Sequence, residues 1–304
     1  MEYPLVSIIT INYGQAAVTC RLLDSLQRIT YPATEIIVVD NASPDRDAAV
    51  IREWFPGVRL ICSDRNLGFA GGNNLGIRHA AGDYILLLNN DTEVDPGFLE
   101  PLVDKLKSDP RIGAASPQIR FYDRPDTFQY AGSAPLNPVT MRSHGIGYRE
   151  KDTGQYERDA LTAFVHGAAM IVPRAVIRQV GLMAECYFLY YEELDWGIRI
   201  RRAGYSLWFV HNSRVYHKES VSTGKKSPLK TYYLNRGRLL YLRRNASGVN
   251  FVMAILYQSF VAVPVNSLRY LARGGRAHFR AYVRALAWHL RNLTAKEIHS
   301  NPVL

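Results

Sequence analysis

The sequence predicts an α/β fold, a doubly wound parallel sheet, followed by a helical and basic extension. Three observations predict it. Short apolar runs bounded by turn formers alternate with segments of helical periodicity over the first ninety-odd residues. One of those runs, Tyr84–Leu88, breaks off in a polar tip, Asn89-Asn90-Asp91-Thr92-Glu93. The charge is also lopsided: residues 218–304 hold 15 Lys+Arg against 2 Asp+Glu, whereas residues 1–217 hold 22 against 25.

Taken in order, Leu5–Asn12 (LVSIITIN) reads as a strand buried on both faces, ending at Tyr13-Gly14. Ala16–Gln27 sets Val18, Leu22, Leu23 and Leu26 at helical spacing. Glu35–Val39 is the next strand, with Asp40-Asn41-Ala42-Ser43-Pro44 as its loop. Asp45–Phe55 is expected to be helical, closed by Pro56-Gly57, and Val58–Cys62 to be a third strand. The glycine-rich stretch Asp64–Gly72 reads as a loop into a helix, Asn73–Ala81, that Gly82 ends. Tyr84–Leu88 is the fourth strand, and a helix restarts near Pro96–Leu99.

The rhythm changes after about Ile112. Strands are expected at Ile112–Ser116 and over residues 167–173, separated by an irregular Pro- and Gly-rich stretch over 117–154. Arg174–Val180 and Leu194–Ala203 read as helices, with strand Tyr205–Val210 after the second. Three widely spaced cysteines show no metal-ligand spacing and point to a reducing compartment. The first residues lack a basic leader and a small-residue cleavage site, so no signal peptide is expected.

Beyond His217 the chain is different in kind, which divides it into residues 1–220 and 221–304. Lys230–Arg244 mixes aromatic and basic residues at helical spacing. Val249–Val263 is apolar almost all round, but its 15 residues before Pro264 fall short of the roughly 20 that span a bilayer. Arg269, Arg273, Arg276, Arg280 and Arg284 then recur opposite an apolar face of Phe279, Tyr282, Val283, Leu286 and Leu290, and Gly274-Gly275 breaks the pattern. A basic amphipathic helix beside a short apolar one predicts an interfacial anchor on an anionic membrane surface. A helical subdomain with a solvated arginine face is the competing structural account.

Five patches fall where a doubly wound sheet gathers its ligands, beyond the carboxyl ends of the strands. Thr10 and Asn12 end the first strand, and Asp40 ends the second, where a carboxylate can accept from a ribose or a base edge. Asn66 through Asn73 supply a glycine-rich approach to a helix N-terminus, a place that favours anions. That stretch is neither GxGxxG nor a Walker A loop, which excludes a dinucleotide fingerprint and a P-loop. At Asn89, Asn90 and Asp91 the oxygen ligands suit a hard cation. In Tyr190-Tyr191-Glu192-Glu193-Leu194-Asp195-Trp196, three carboxylates in four positions at a helix start can raise one pKa and make a general base, or simply complement the helix dipole. His217 closes a later apolar stretch and can complete a metal site with Asp91.

The order of these motifs resembles glycosyltransferase family 2, and within it the bacterial rhamnosyltransferase-like branch. The resemblance rests on Thr-x-Asn-Tyr, Val-Val-Asp-Asn-Ala-Ser, Asn-x-Gly-Phe-Ala-Gly-Gly-x-Asn, Leu-Asn-Asn-Asp, Tyr-Tyr-Glu-Glu-x-Asp-Trp and His-Lys-x-Ser, and runs from residue 5 to about 245. It implies a GT-A fold, a Rossmann-like mixed sheet flanked by helices, and inverting transfer from a nucleotide diphosphate-sugar. Deoxythymidine diphosphate-rhamnose is the donor it favours, with a uridine diphosphate-hexose next.

The resemblance also implies roles. Asp40 would meet the nucleotide, with Thr10 and Asn12 as pocket wall, and Asn66, Asn73, Asn89 and Asn90 would line the donor site. Asp91 stands where the family usually has Asp-x-Asp and would bind Mg2+ or Mn2+ with His217. Glu193 would be the catalytic base although the family's Glu-Asp pair is Glu-Glu here, with Glu192 and Asp195 as rivals. Trp196, Arg236 and Arg238 would face the acceptor or its phosphates. The acceptor implied is a lipid-diphosphate-linked glycan at the cytoplasmic face of a bacterial plasma membrane. A catalytically inactive scaffold is the alternative. A nucleic-acid binder using the basic tail is not expected, because no reading module accompanies the tail.

Overall fold

The computed structural model describes residues 3–45, 47–218, 227–272, 275–295 and 298. The chain runs β1 (Val6–Asn12), α1 (Ala16–Leu26), β2 (Thr34–Asp40), α2 (Asp47–Trp54), β3 (Arg59–Cys62), α3 (Gly68–His79) and β4 (Tyr84–Leu88). It continues with β5 (Thr92–Val94), α4 (Leu99–Ser108), β6 (Ile112–Phe121), β7 (Arg124–Tyr130), β8 (Ala160–Leu161), β9 (Ala169–Pro173), α5 (Arg174–Val180), α6 (Glu192–Arg202) and β10 (Ser206–His217). Four helical segments close it: α7 (Pro228–Asn245), α8 (Gly248–Tyr257), α9 (Val263–Ala272) and α10 (Arg276–Arg291).

The strands join in one sheet of order β3-β2-β1-β4-β9-β6-β10-β5, with β7 beside β6 and β8 beside β10. Parallel pairing covers β3, β2, β1 and β4, as the alternating pattern predicts. Past β4 the sheet is mixed, because β9 runs antiparallel to both β4 and β6 and β5 runs antiparallel to β10. Strand periodicity sorts the core into two layers. Ile8, Leu86 and Leu88 pack with α1 and α4, whereas Ile9, Ile85 and Leu87 pack with α3, α5 and α6.

Several boundaries differ from the sequence reading. The glycine-rich stretch is not a loop: α3 begins at Gly68, and Gly76 lies so close to β1 that a Cβ there would sit 2.4 Å from Ile9 Cγ2. Those glycines serve close packing of helix on sheet. The stretch expected to be irregular contains the hairpin of β6 and β7, and β10 is twice the expected length, with an irregularity between Val210 and Arg214.

The C-terminal helices differ most. Helicity does not stop at Pro264; it runs on through a π-helical turn, Gln258–Ala262, making 25 continuous residues from Gly248 to Ala272. In that turn the Val263 N–H reaches back five residues to Gln258 O, so the carbonyl ladder is already shifted where proline would break an α-helix. The helix is long and apolar enough to cross a membrane. Arg273, Gly274 and the expected boundary at residue 220 lie outside the described residues.

On α10 the buried face is Ala281, Tyr282, Ala285 and His289, rotated from the expected one, so that Val283 and Leu290 are exposed. His289 Nε2 donates to Arg236 O at 3.0 Å, and Nδ1 accepts from Arg243 at 3.2 Å, which fixes a neutral ring between α7 and α10. Burial lowers the His289 pKa to about 4. The unfolded chain therefore binds a proton that the folded one refuses, and stability falls as pH drops from about 6.5 through 4. The thermal midpoint is expected to decline over that window and to decline less steeply in His289→Gln, by roughly 3 kcal/mol at most. Equal slopes in the two proteins would remove His289 from this role.

Candidate active site

The polar tip after β4 is held by backbone bonds. Asn89 N donates to Ala168 O (2.9 Å) and Thr92 N to Asn89 O (3.2 Å), so Asp91 is carried on a fixed turn. β5 then pairs antiparallel with the end of β10, setting His217 opposite Thr92. His217 Nε2 lies 3.0 Å from Asp91 Oδ1, and both side chains are almost fully buried. On the far side of the ring, Nδ1 donates to Gln129 Oε1 at 2.8 Å. That bond leaves Nε2 as the ring nitrogen that faces the carboxylate.

These two ligands fit a divalent ion. Neighbouring ligands in an octahedral shell with bonds of about 2.1 Å stand about 3 Å apart. A histidine that holds a metal is commonly oriented by a hydrogen bond from its other ring nitrogen, and the Gln129 bond has that form. Among the described residues no group of three His, Cys, Asp or Glu side chains could hold a metal ion, and Asp91 and His217 form a pair.

Sequence reasoning missed Gln129 and His166. The His166 ring lies 6.2 Å from the His217 ring, and its Nδ1 accepts from Ala168 N at 3.0 Å. Burial lowers its pKa to about 3, the neighbouring His217 contributing, so the ring is neutral. A single histidine in an apolar run, Ala163-Phe164-Val165-His166-Gly167, carries no periodic or spacing signal.

α6 is entered through a backbone held against its preference. Phe188, Tyr190 and Tyr191 all have positive φ, at 65°, 66° and 78°. Gly68 secures this run: with φ at +71° and no Cβ, it admits Phe188 O, which accepts from Phe69 N at 2.6 Å. The amides at the start of α3 thus meet protein carbonyls and Asn66 Oδ1, not an open anion site. The strained run aims Glu193 at the turn before β9, where a Cβ on Gly167 would stand 3.8 Å from its Cγ and Cδ. Burial raises the pKa of Glu193; it raises that of Glu192 well above the ordinary range, with the charge of Glu193 adding to the effect.

Asp195 is a different kind of carboxylate. It accepts from Arg199 Nε (2.9 Å), Arg244 Nε (2.9 Å), Asn245 Nδ2 (2.9 Å) and Tyr187 OH (3.1 Å) while 1% exposed. Burial alone would raise its pKa, but the two guanidiniums hold it below the usual carboxylate range. It is a structural anchor and not a rival base.

At the carboxyl ends of β1 and β2, Asp40 accepts from Asn12 Nδ2 at 3.0 Å and from Ser43. Asn12 also reaches Asp47 Oδ2 (2.9 Å) and accepts from Thr19 (2.7 Å), so it ties β1 to β2, α1 and α2. Thr10 is entirely buried and forms no wall of an open pocket. Asn73 is buried on Phe69 O, and Asn90 is buried on Thr19 Oγ1. Asn66 is exposed and Asn89 half-buried. Trp196 is core, its Nε1 donating to Gly181 O at 2.9 Å. Arg236 is buried too, its guanidinium turned to the carbonyls of Cys186 and Tyr187 and away from any acceptor. Arg238 is half-buried and donates to Tyr191 OH at 3.1 Å.

A family model described as glycosyl transferase family 2 matches residues 7–181. N-acetylglucosaminyl-diphospho-decaprenol L-rhamnosyltransferase of Mycobacterium tuberculosis is 28% identical over 242 residues, which cover 73% of this chain and 78% of that protein. Among solved structures, the mannosyltransferase of Pyrobaculum calidifontis with GDP-mannose and Mn2+ superposes with a TM-score of 0.58 at 17% identity, covering 97% of this chain and 89% of that one. GalNAc-T7, solved with UDP, GalNAc and Mn2+, gives a TM-score of 0.66 at 17% identity, covering 97% and 58%. The fold is GT-A.

Asp195→Ala is expected to cost about 3–5 kcal/mol in urea unfolding, since it strands two buried guanidiniums. Glu192→Gln should cost under about 1 kcal/mol, because burial already favours the uncharged form. Comparable losses in both would contradict the distinction.

Proposed function

The chain belongs to glycosyl transferase family 2, and from that premise we propose that it is an inverting, metal-dependent transferase extending a lipid-linked cell-surface glycan. The observation that carries the reading is the meeting of Asp91, His217 and Glu193 about the 166–168 turn, from three distant parts of the chain. Deoxythymidine diphosphate-rhamnose is the favoured donor and a uridine diphosphate-hexose the next. The relative named for rhamnose transfer to a diphospho-decaprenol acceptor supports both the sugar and the acceptor class.

In this reading the nucleotide lies over Asp40 at the carboxyl ends of β1 and β2, with Asn66 and Asn89 beside it. Asp91 and His217 would hold Mg2+ or Mn2+, and the ion when bound would supply positive charge to offset that of a diphosphate leaving group. Glu193 takes the proton of the acceptor hydroxyl as that oxygen attacks the anomeric carbon from the opposite face. Burial raises its pKa, which makes it a stronger base than a solvated carboxylate. Fixed placement of donor and acceptor supplies much of the remaining rate.

The membrane side of the proposal rests on an inverted helix. From Gly248 to Ala272 the buried positions are Ala254, Gln258, Ala262 and Asn266, four apart, small or polar. The outward face carries Val249, Phe260 and Leu268, 78%, 75% and 67% exposed. A helix packed lengthwise on the protein by its polar stripe lies in the plane of the interface rather than across the bilayer. The basic residues around it suit the anionic cytoplasmic leaflet.

Donor turnover with Mn2+ or Mg2+ is the first test, preceded by a thermal-shift screen of nucleotide diphosphate-sugars with and without the ion. Glu193→Gln should lower turnover by about a hundredfold or more with donor stabilisation intact, and undiminished turnover would take the base role from it. Asp91→Asn should lose the metal-dependent part of the shift. Phe260→Ser combined with Leu268→Ser should move the protein from the membrane pellet to the supernatant, and an unchanged partition would refute the anchoring face.

A further inference from the structure

A second cleft lies away from the catalytic turn, among the C-terminal helices. It has a volume of about 660 Å³ and is lined by Arg142, Lys230, Arg238, Arg269 and His278, with no acidic residue among the described residues of its wall. The Arg and Lys side chains come from three separate elements, the segment after β7, α7 and α9, and His278 comes from α10. The first turns of α7 and α10 both open onto it, so two helix N-termini add their positive ends. Like charges gathered from separate elements repel one another, a cost that an anionic ligand would relieve.

Two neighbours say what that anion carries. Asn266 and Arg269, in the cleft wall, belong to the helix whose other face exposes Phe260, Leu268 and Leu271. Arg238 donates to Tyr191 OH, and Tyr191 OH donates to Met141 O, so the cleft wall is bonded to the residue just before Glu192 and Glu193. The cleft thus stands between an apolar outer surface and the proposed base.

We propose that this cleft binds the diphosphate of a polyprenyl diphosphate-linked acceptor, with Arg142, Lys230, Arg238 and Arg269 as the phosphate-binding residues. The proposal rests on the lipid-linked acceptor reading above and gives it a location. The prenyl chain stays in the membrane along the exposed face of α8 and α9, and the glycan is directed towards Glu193. Arg236, expected from sequence to meet these phosphates, is replaced in that role by Arg142 and Arg269.

The test measures binding without sugar transfer. Farnesyl diphosphate, inorganic pyrophosphate and phosphatidylglycerol vesicles are titrated separately into the full chain and into an Arg142→Gln/Arg269→Gln double variant, whose changes fall on exposed side chains. The unfolding midpoint of the variant is checked first. Farnesyl diphosphate should bind the unaltered protein, be displaced by pyrophosphate, and bind the variant at least tenfold more weakly, while vesicle binding falls by less than threefold. Equal binding of farnesyl diphosphate by both proteins overturns the proposal, as does failure of pyrophosphate to compete. So does a loss confined to vesicles, which would mark the cleft as general membrane electrostatics. Absence of donor turnover would count against the transferase reading and leave these binding results standing.

Discussion

The buried carboxylate of Asp195 holds the molecule's two halves in register. Its four partners come from α6 itself, from α7 and from the turn that carries Tyr187. Arg199 extends the knot to the carbonyls of Val180 and Leu182, and Arg202 extends it to Asn245. A buried ion cluster of this kind is weak evidence for net stability, because desolvation offsets much of its attraction. Its consequence here is geometric: the helix presenting Glu193 cannot turn without dragging α7, and with it the basic cleft and the apolar outer helix.

Two constraints of the sheet complement that knot. Reversal of direction at β9 and at β5 converts a parallel half-sheet into a mixed sheet. The pairing of β5 with β10 sets the last residue of the longest strand beside the turn after β4, which is how His217 reaches Asp91. The same mixed arrangement lays β9 alongside β4, so the 166–168 turn fills the space between His217 and Glu193. Three positive-φ residues, Phe188, Tyr190 and Tyr191, crowd into the entry to α6, and Gly68 absorbs their closest contact.

Charge follows the same division. The catalytic half is close to neutral, and its carboxylates differ in role through burial and partners: Asp195 is paired with arginines, while Glu192 and Glu193 are desolvated beside each other. The positive excess of the C-terminal helices is not a uniform solvated face. Arg236, Arg243 and Arg244 are drawn inward to carbonyls and to Asp195, whereas Arg238 and Arg269 border a cleft that Arg142, from the segment after β7, completes.

By itself the sequence determined the parallel half-sheet, the strand tip with Asp91, the family motifs and the basic tail, because each is written in local periodicity or in residues adjacent along the chain. It could not separate Glu193 from Asp195. Both sit in the first turn of one helix, and only the positions of Arg199 and Arg244 show which is spent on structure. It overestimated the glycines before Asn73 as an anion loop, since their purpose is the approach of α3 to β1. It also ended a helix at Pro264 that a π-helical turn carries through, and it set the buried face of α10 about one residue, roughly 100°, of rotation away. Gln129, His166 and the cleft around Arg269 were beyond its reach. Which way a side chain faces depends on the element packed against it, and those elements are far away in sequence; the tertiary structure alone decided that.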